Sequence, residues 1–496
     1  MKKFRSAALL GAGLCVGLLS GTVLDAWAEK QPSSSVPLLE IREFASAFNA
    51  IKDYYVDDVS DAKLIESAVK GMVSGLDPHS SFLDVKGYKE MNESTTGSFG
   101  GLGIEVTKDP AGVRVIAPID DTPAARAGIR AGDVITRING KSMADQSLSA
   151  AVKLMRGEPN TKIDLTVARK GVTKPLTFSI TRAVIKTQSV KMKELDGGYG
   201  YIRITQFQER TAEDTAEQLN KLAKSGHLKG LVLDLRNDPG GLLQAAIGVA
   251  AAFLPENADV VSTKGRTPQS DYDYRARPAD YRAGGAVNAL RNVTPLAKTV
   301  PMVVLINSSS ASASEIVAGA LQDHGRAKLM GDRSFGKGSV QTILPMTFDG
   351  KTVGVKLTTA RYYTPSGRSI QAKGILPDVY VDDTPKGNYP SFQIRESDLS
   401  HHLENQDDGE DGEEAALKDL PYDDAEEAEM PKYIFTFGDD KDWQLKQAVN
   451  LLSGQKVVES RYRGKPRDVA KKLMAEDRAK KEAQAEQERE AKEKKK

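Results

Sequence analysis

Cysteine is almost missing from this chain: of 496 residues only Cys15 is one, and it sits inside an apolar run near the N-terminus. That excludes a disulfide framework, a cysteine nucleophile and a cysteine-based zinc site in the body of the chain, which must rest on its hydrophobic core. Net charge is equally scant. Against 69 Lys and Arg stand 68 Asp and Glu, a balance of +1, so no bulk attraction to nucleic acid follows and no nucleic-acid partner is expected. No motif points to a metal or an organic cofactor, and none is expected.

A chain of this length exceeds one compact core, so two or three packed units with tails are expected; 40% hydrophobic residues support globular domains. Charge is segregated along it. Acidic residues cluster after Glu404 and Lys-rich sequence ends the chain, as solvated faces or disordered tails do. Met1-Lys2-Lys3-Phe4-Arg5, the apolar stretch Ala7 to Leu24 and then Ala26-Trp27-Ala28 describe a secretory signal peptide cut after Ala28. An uncleaved anchor is the alternative, although Gly11, Gly13, Gly17 and Gly21 dilute the stretch.

From Leu38 to Val73 apolar residues recur at helical spacing, which predicts two short amphipathic helices. The loop Gly75-Leu76-Asp77-Pro78-His79-Ser80 ends them, and His79 reads as structural rather than as a catalytic base. Between Gly97 and Arg182 short strands alternate with glycines: Gly100-Gly101-Leu102-Gly103-Ile104-Glu105-Val106, Pro123-Ala124-Ala125-Arg126-Ala127-Gly128-Ile129, then Gly132-Asp133-Val134-Ile135 ending at the Asn139-Gly140 turn. This order resembles a PDZ domain. The likeness implies that a loop of Gly100, Gly101, Leu102 and Gly103 gathers backbone N–H groups on a terminal carboxylate, while the strand Ile104 to Val106 offers an edge to a peptide.

From Gly200 strands and helices alternate, as in an α/β domain. The polar, Arg-rich stretch from Asp271 to Asn292 reads as a solvated loop or substrate rim. Met302 to Ile306 is a buried strand, and Asn307-Ser308-Ser309-Ser310-Ala311-Ser312-Ala313-Ser314-Glu315 leads into a helix. Such a junction presents a hydroxyl at a helix N-terminus, where free N–H groups favour developing negative charge. Ser312-Ala313-Ser314-Glu315 also fits a capping box, which requires no catalysis.

The Ser-Ala-Ser-Ala-Ser-Glu run, Gln322-Asp323-His324-Gly325-Arg326-Ala327 and Phe335-Gly336-Lys337-Gly338-Ser339-Val340-Gln341 together resemble the carboxyl-terminal processing (tail-specific) proteases, over about Glu40 to Asp383. The resemblance implies Ser312 as nucleophile, Lys337 as general base and Gln341 as the residue that orients it. It implies an oxyanion hole from Ala313 and Gly240, with Gly241 open as the alternative by one residue. It also implies a multidomain α+β fold: an α/β crotonase/Clp-like serine protease core with an inserted β-rich PDZ domain and helical terminal segments. The expected divisions are a signal peptide over 1–28, a helical segment over 29–93, the PDZ domain over 94–183, the protease core over 184–385, an acidic segment over 386–432 and a Lys/Glu-rich helical tail over 433–496. The expected protein is an exported, periplasmic endopeptidase, a homo-oligomer acting on proteins or peptides with apolar C-termini, with an adaptor protein as a further possible partner and a resting form in which the PDZ covers or misaligns the site.

Elementary chemistry agrees with the dyad. No Gly-x-Ser-x-Gly elbow is present to suggest a His-based hydrolase, and lysine can take a serine proton only when neutral. Lowering its pKa from about 10.4 toward 7 takes about three units, most readily from burial. Ser334-Phe335-Gly336-Lys337 is also an S-x-x-K pattern, but its glycines oppose the helix that pattern needs and its Ser-Asp-Asn and Lys-Thr-Gly companions are missing. A non-catalytic PDZ scaffold is the rival function. A chymotrypsin-like protease is disfavoured by the missing Gly-x-Ser-Gly-Gly and by a PDZ that precedes the α/β region.

Overall fold

A computed structural model of the chain describes residues 37–119, 121–282, 288–348, 350–385, 387–388, 394–405 and 437–465, with scattered helical positions between 469 and 483. The expected signal segment with Cys15 and most of the acidic segment lie outside the described residues. Two units divide the chain, one ending at Lys70 and one starting at Gly71. Helices α1 (Leu38–Tyr54) and α2 (Asp61–Ser74) are the two expected from apolar spacing. Next come β1 (Ser81–Leu83) and α3 (Val85–Thr96), which the apolar spacing does not announce. Local chemistry bounds α3 instead: the Asp84 carboxylate accepts from Gly87 N–H, and Gly97 ends the helix at φ 66°.

Strand β2 (Ser98–Gly101) leads into a small antiparallel sheet made of β3 (Ile104–Asp109), β4 (Gly112–Pro118), β5 (Val134–Ile138), β6 (Lys141–Ser142), β7 (Lys162–Ala168) and β8 (Leu176–Thr181), with helices α4 (Pro123–Ala127) and α5 (Leu148–Met155). The order is β3-β4-β5-β7-β8, with β6 paired to β5, so β3 lies at an edge. Asn139 and Gly140 both have positive φ, as the two-residue hairpin turn requires. Val113, Ile135, Leu165 and Val167 form a core of this sheet's own, separate from the main one. On leaving it, β9 (Ala183–Lys186) pairs antiparallel with β2. This corrects one expectation: Gly100 and Gly101 are ladder residues of β2, and the open loop is only Leu102 and Gly103.

The main sheet holds β10 (Val190–Leu195), β11 (Tyr199–Ile204), β12 (Gly230–Asp234), β15 (Met302–Ile306), β16 (Lys328–Gly331) and β19 (Val379–Tyr380), parallel from β11 onward. Every residue of β12 and β15 is buried, so both faces must be covered. Alternation divides the labour. Leu231, Leu233, Val304 and Ile306 pack with helices α6 (Thr211–Lys224), α7 (Leu243–Phe253) and α8 (Ala313–Asp323), whereas Val232, Val303 and Leu305 face the other way onto α9 (Trp443–Leu452). A second sheet joins β1, β13 (Asp259–Gly265), β14 (Tyr272–Arg275) and the long hairpin β17 (Ser339–Phe348) and β18 (Lys351–Tyr363). The stretch from Asp271, read as a loop, therefore contributes β14, a sheet-edge strand whose exposed side accounts for the polar composition.

The C-terminal helix is fastened by charge. Arg236, fully buried, donates to both carboxylate oxygens of Asp234 at 2.9 and 2.8 Å, to those of Asp442 at 3.0 and 2.6 Å and to Gln444 Oε1 at 3.0 Å. Asp442 also caps α9 by accepting from Leu445 N–H. Removing that carboxylate in Asp442→Ala strands part of a buried guanidinium, so urea unfolding should show a loss of about 3 kcal/mol, while the same change at nearby exposed Asp440 should cost under about 0.5 kcal/mol.

Candidate active site

Strand β15 ends in the turn Asn307–Ala311, which delivers Ser312 to the N-terminus of α8. Ser312 adopts φ 54° and ψ −112°, a combination costly for a residue with a side chain and upheld only when its surroundings over-determine it. They do so here. Ser310 Oγ donates to Leu235 O at 2.8 Å, Ala311 N–H to Asp238 O at 3.0 Å and Ser314 Oγ to the same carbonyl at 3.0 Å, lacing the serine segment to the turn that follows β12. Ser312 itself is only partly buried.

That turn is Arg236-Asn237-Asp238-Pro239-Gly240-Gly241. Gly240 has φ 95°, and a Cβ placed on it would lie 2.7 Å from Ala311 O, 2.8 Å from Ala313 N and 2.9 Å from Ser312 Cβ. Only glycine lets the two segments meet so closely. Gly240 and Ala313, the two expected oxyanion residues, are therefore neighbours beside Ser312. Their N–H groups differ: that of Ala313 has no acceptor among the described residues, whereas Gly240 donates to Asp238 Oδ1 at 2.8 Å. Gly241 N–H also has no acceptor among them.

Lys337 arrives on the loop Asp332–Gly338 between β16 and β17. One side chain joins this loop to the serine. Glu315, wholly buried, accepts at Oε2 from Ser312 N–H (2.7 Å) and Lys337 N–H (3.0 Å), and at Oε1 from Ser334 Oγ (2.6 Å) and Gly336 N–H (2.7 Å). Burial pushes its pKa up to about 7, against those four donors, which favour the ionised form. A second tie comes from β18, where the hydroxyl of buried Tyr362 lies against the carbonyl oxygens of Ser312 and Lys337. The capping-box reading of Ser312–Glu315 and the catalytic one are thus compatible: the carboxylate that caps the helix also grips the lysine loop.

Nζ of Lys337 makes no hydrogen bond or ion pair among the described residues. Burial first, and then the charge of Lys356, lower its pKa to about 8, against the pull of Glu396, Glu315 and Asp77. Behind the loop Glu396, also wholly buried, accepts from Gln371 Nε2 at 2.9 Å and lies 2.7 Å from His79 Nε2, while Gln371 Oε1 accepts from Gly338 N–H at 3.0 Å. His79 supports this carboxylate and touches neither Ser312 nor Lys337.

Gln341 stands on β17, and its amide donates to Ser339 Oγ at 3.0 Å and Thr358 Oγ1 at 3.2 Å, not to Lys337. Ser334 is fully buried, its hydroxyl spent on Glu315 and Ile375 N–H, and Gly336 has φ 99°, so the S-x-x-K alternative has neither an open hydroxyl nor a helix. In the small sheet Leu102 and Gly103 N–H groups have no acceptor among the described residues, while the Leu102 side chain packs in the core of that sheet. The sequence reading missed the bridging role of Glu315, along with Tyr362, Glu396 and Asp238; only the S-x-x-E spacing could have flagged Glu315.

In Glu315→Gln an amide NH₂ must face donors at one oxygen position or the other. The expected cost is about 2–4 kcal/mol in urea unfolding, with turnover lost by at least tenfold.

Comparison with known proteins gives the family. Residues 198–381 match the model of peptidase family S41, residues 100–180 that of the PDZ domain and residues 21–87 that of the activating protease CtpB N-terminal domain. The carboxy-terminal-processing protease of Bartonella bacilliformis is 43% identical over 421 residues, 84% of this chain and 89% of that one. The carboxy-terminal processing protease CtpA of Bacillus subtilis is 34% identical over 353 residues, 71% of each chain. Among solved structures, the photosystem II D1 C-terminal processing protease is 31% identical, covering 68% of this chain and 92% of that one at a TM-score of 0.38. These matches set aside the non-catalytic scaffold: the chain is a serine-type peptidase with a PDZ domain and belongs to the carboxy-terminal-processing protease family.

Proposed function

We propose that this chain is an exported endopeptidase that cuts proteins with a Ser312–Lys337 dyad after holding their C-termini in its PDZ domain. The observation that carries the reading is the convergence of Ser312 N–H and Lys337 N–H on one oxygen of Glu315. Such convergence holds the hydroxyl and amine on adjoining segments whatever the substrate does.

Neutral Lys337 Nζ takes the proton of Ser312 Oγ as that oxygen bonds to the substrate carbonyl carbon, and the π electrons move to the carbonyl oxygen. Ala313 N–H and the Gly240 turn face the oxyanion. Collapse breaks the C–N bond, and the ammonium of Lys337 returns its proton to the leaving amine. Water then attacks the ester carbon, giving a proton to Lys337; collapse of that adduct breaks the C–Oγ bond, Lys337 returns the proton to Ser312 Oγ, and the new carboxylic acid leaves, losing its own proton to solvent. In the reading drawn from the family, the amide of Gln341 turns from Ser339 and Thr358 toward Lys337 when the site is aligned, so the contacts seen here fit a resting arrangement. The free N–H groups of Leu102 and Gly103 beside edge strand β3 support carboxylate capture and strand addition. The parallel sheet with helices on both faces is in keeping with a crotonase/Clp-like core, and the basic and apolar N-terminal run supports export to the cell envelope. Among the described residues no helix is long and apolar enough to cross a membrane.

Ser312→Ala and Lys337→Ala should each lower cleavage of an unfolded, C-terminally tagged protein by at least about 1000-fold; equal cleavage by all three proteins would remove the dyad. The base works only when neutral, and its neutral fraction grows as pH rises through about 8, so kcat/KM should climb as pH rises toward about 8. Amidating the substrate's C-terminus should weaken processing chiefly through KM, and an unchanged KM would remove tail recognition.

A further inference from the structure

Asp238 is a carboxylic acid to which the dyad chemistry assigns nothing. It is fully buried, and its Oδ2 has no hydrogen-bond partner among the described residues. Oδ1 accepts the N–H of Gly240, and the backbone carbonyl accepts from Ala311 and Ser314. Asp238 therefore contacts both the segment that carries Ser312 and a donor expected to meet the oxyanion.

We propose that Asp238 is a positioning residue whose carboxyl governs whether the Gly240 N–H is available to the oxyanion. The inference rests on the Ser312–Lys337 reading and adds a control to it. As a neutral acid the group is a weak acceptor, and its proton occupies the otherwise orphaned Oδ2. The N–H is then oriented by the turn but easily surrendered to a developing negative charge. As a carboxylate the same side chain becomes a charge-assisted acceptor that keeps the N–H, and it sets a negative charge beside the one forming on the substrate.

The surroundings favour the neutral form at physiological pH. Burial pushes the Asp238 carboxyl up to about 8, opposed by the Gly240 N–H and by the Ser314 hydroxyl. The charged groups that act on it are Arg203 of β11, which lowers its pKa, and Asp234 of β12, which raises it; the serine segment presents the uncharged Ser314. Arg203 is occupied with Asp234 at 3.0 Å and with Arg236 O at 3.2 Å, so it does not pair with Asp238.

The test is the pH profile of kcat and KM for the full-length protein cutting a tagged reporter from pH 6 to 10, wild type against Asp238→Asn. Asparagine keeps an oxygen for Gly240 and cannot ionise. Because the lysine base gains its neutral form over the same range, wild-type kcat should pass through a maximum and fall about tenfold from it within about two units above the ionisation midpoint, with KM little changed because the oxyanion forms after binding. Asp238→Asn should stay within about threefold of its own maximum to pH 10. A purely structural role would lower the whole curve without reshaping it. The same alkaline fall in the variant, or none in wild type, overturns the inference. If Ser312→Ala and Lys337→Ala cleave normally, the dyad has failed instead, which keeps the two failures distinct. Should the variant not fold, infrared spectra of wild type carrying ¹³C-carboxyl aspartate decide: an isotope-shifted band of a protonated acid should vanish between about pH 7 and 9, and its absence at neutral pH overturns the proposal.

Discussion

Everything at this site depends on one buried carboxylate reaching two loops. Glu315 lies one helical turn after Ser312, and its oxygens collect N–H groups from Ser312, Gly336 and Lys337 together with the Ser334 hydroxyl. A carboxylate is the side chain best suited to this, since it offers about four acceptor positions and no donor. An amide would oppose like dipoles, and an apolar side chain would orphan three backbone N–H groups in a dry interior. The strained backbone of Ser312 is upheld by the same contacts, and Tyr362 closes the arrangement from the opposite sheet.

Burial then serves two purposes that conflict elsewhere in proteins. It costs stability to bring Glu315, Glu396, Asp238 and Lys337 into one region, yet the same desolvation makes a lysine usable as a base. Their signs are arranged rather than cancelled. Lys356 helps to hold Lys337 below its ordinary pKa, while the carboxylates of Glu396, Glu315 and Asp77 limit the shift to about 8. A more neutralised pocket would leave the amine protonated, and a more positive one would be harder to fold. Beneath the Gly240 turn a second charge network, Asp234–Arg236–Asp442, fastens the C-terminal helix to the same strand end, so a segment far along the chain steadies that turn.

Much of this was legible in the order of residues. The helices from Leu38, the Asn139-Gly140 hairpin, the buried strands and the junction at Ser312 follow from periodicity and turn chemistry, because each depends on neighbours a few places away. What could not be read depends on distant partners: Tyr362 meets a residue 50 positions earlier, and Arg236 meets Asp442 across 206 positions. Glu315 was visible as a cap but not as a bridge, since three of its four donors come from a loop 19, 21 and 22 residues on. Gly100 and Gly101 were misread for a related reason. Glycines in a strand look like a loop until the partner strand, some 80 residues later, is known.

The central claim is that a neutral Lys337 activates Ser312. A fluorophosphonate reagent, which bonds to an activated serine, measures this without peptide-bond cleavage entering, in the presence of a peptide with a free C-terminus to relieve the resting arrangement. Mass spectrometry should find the adduct on Ser312, formed at a rate that rises with pH to a midpoint of about 8 and falls to background in Lys337→Ala. An adduct on another serine, or equal labelling of Ser312 with the lysine removed, would contradict it.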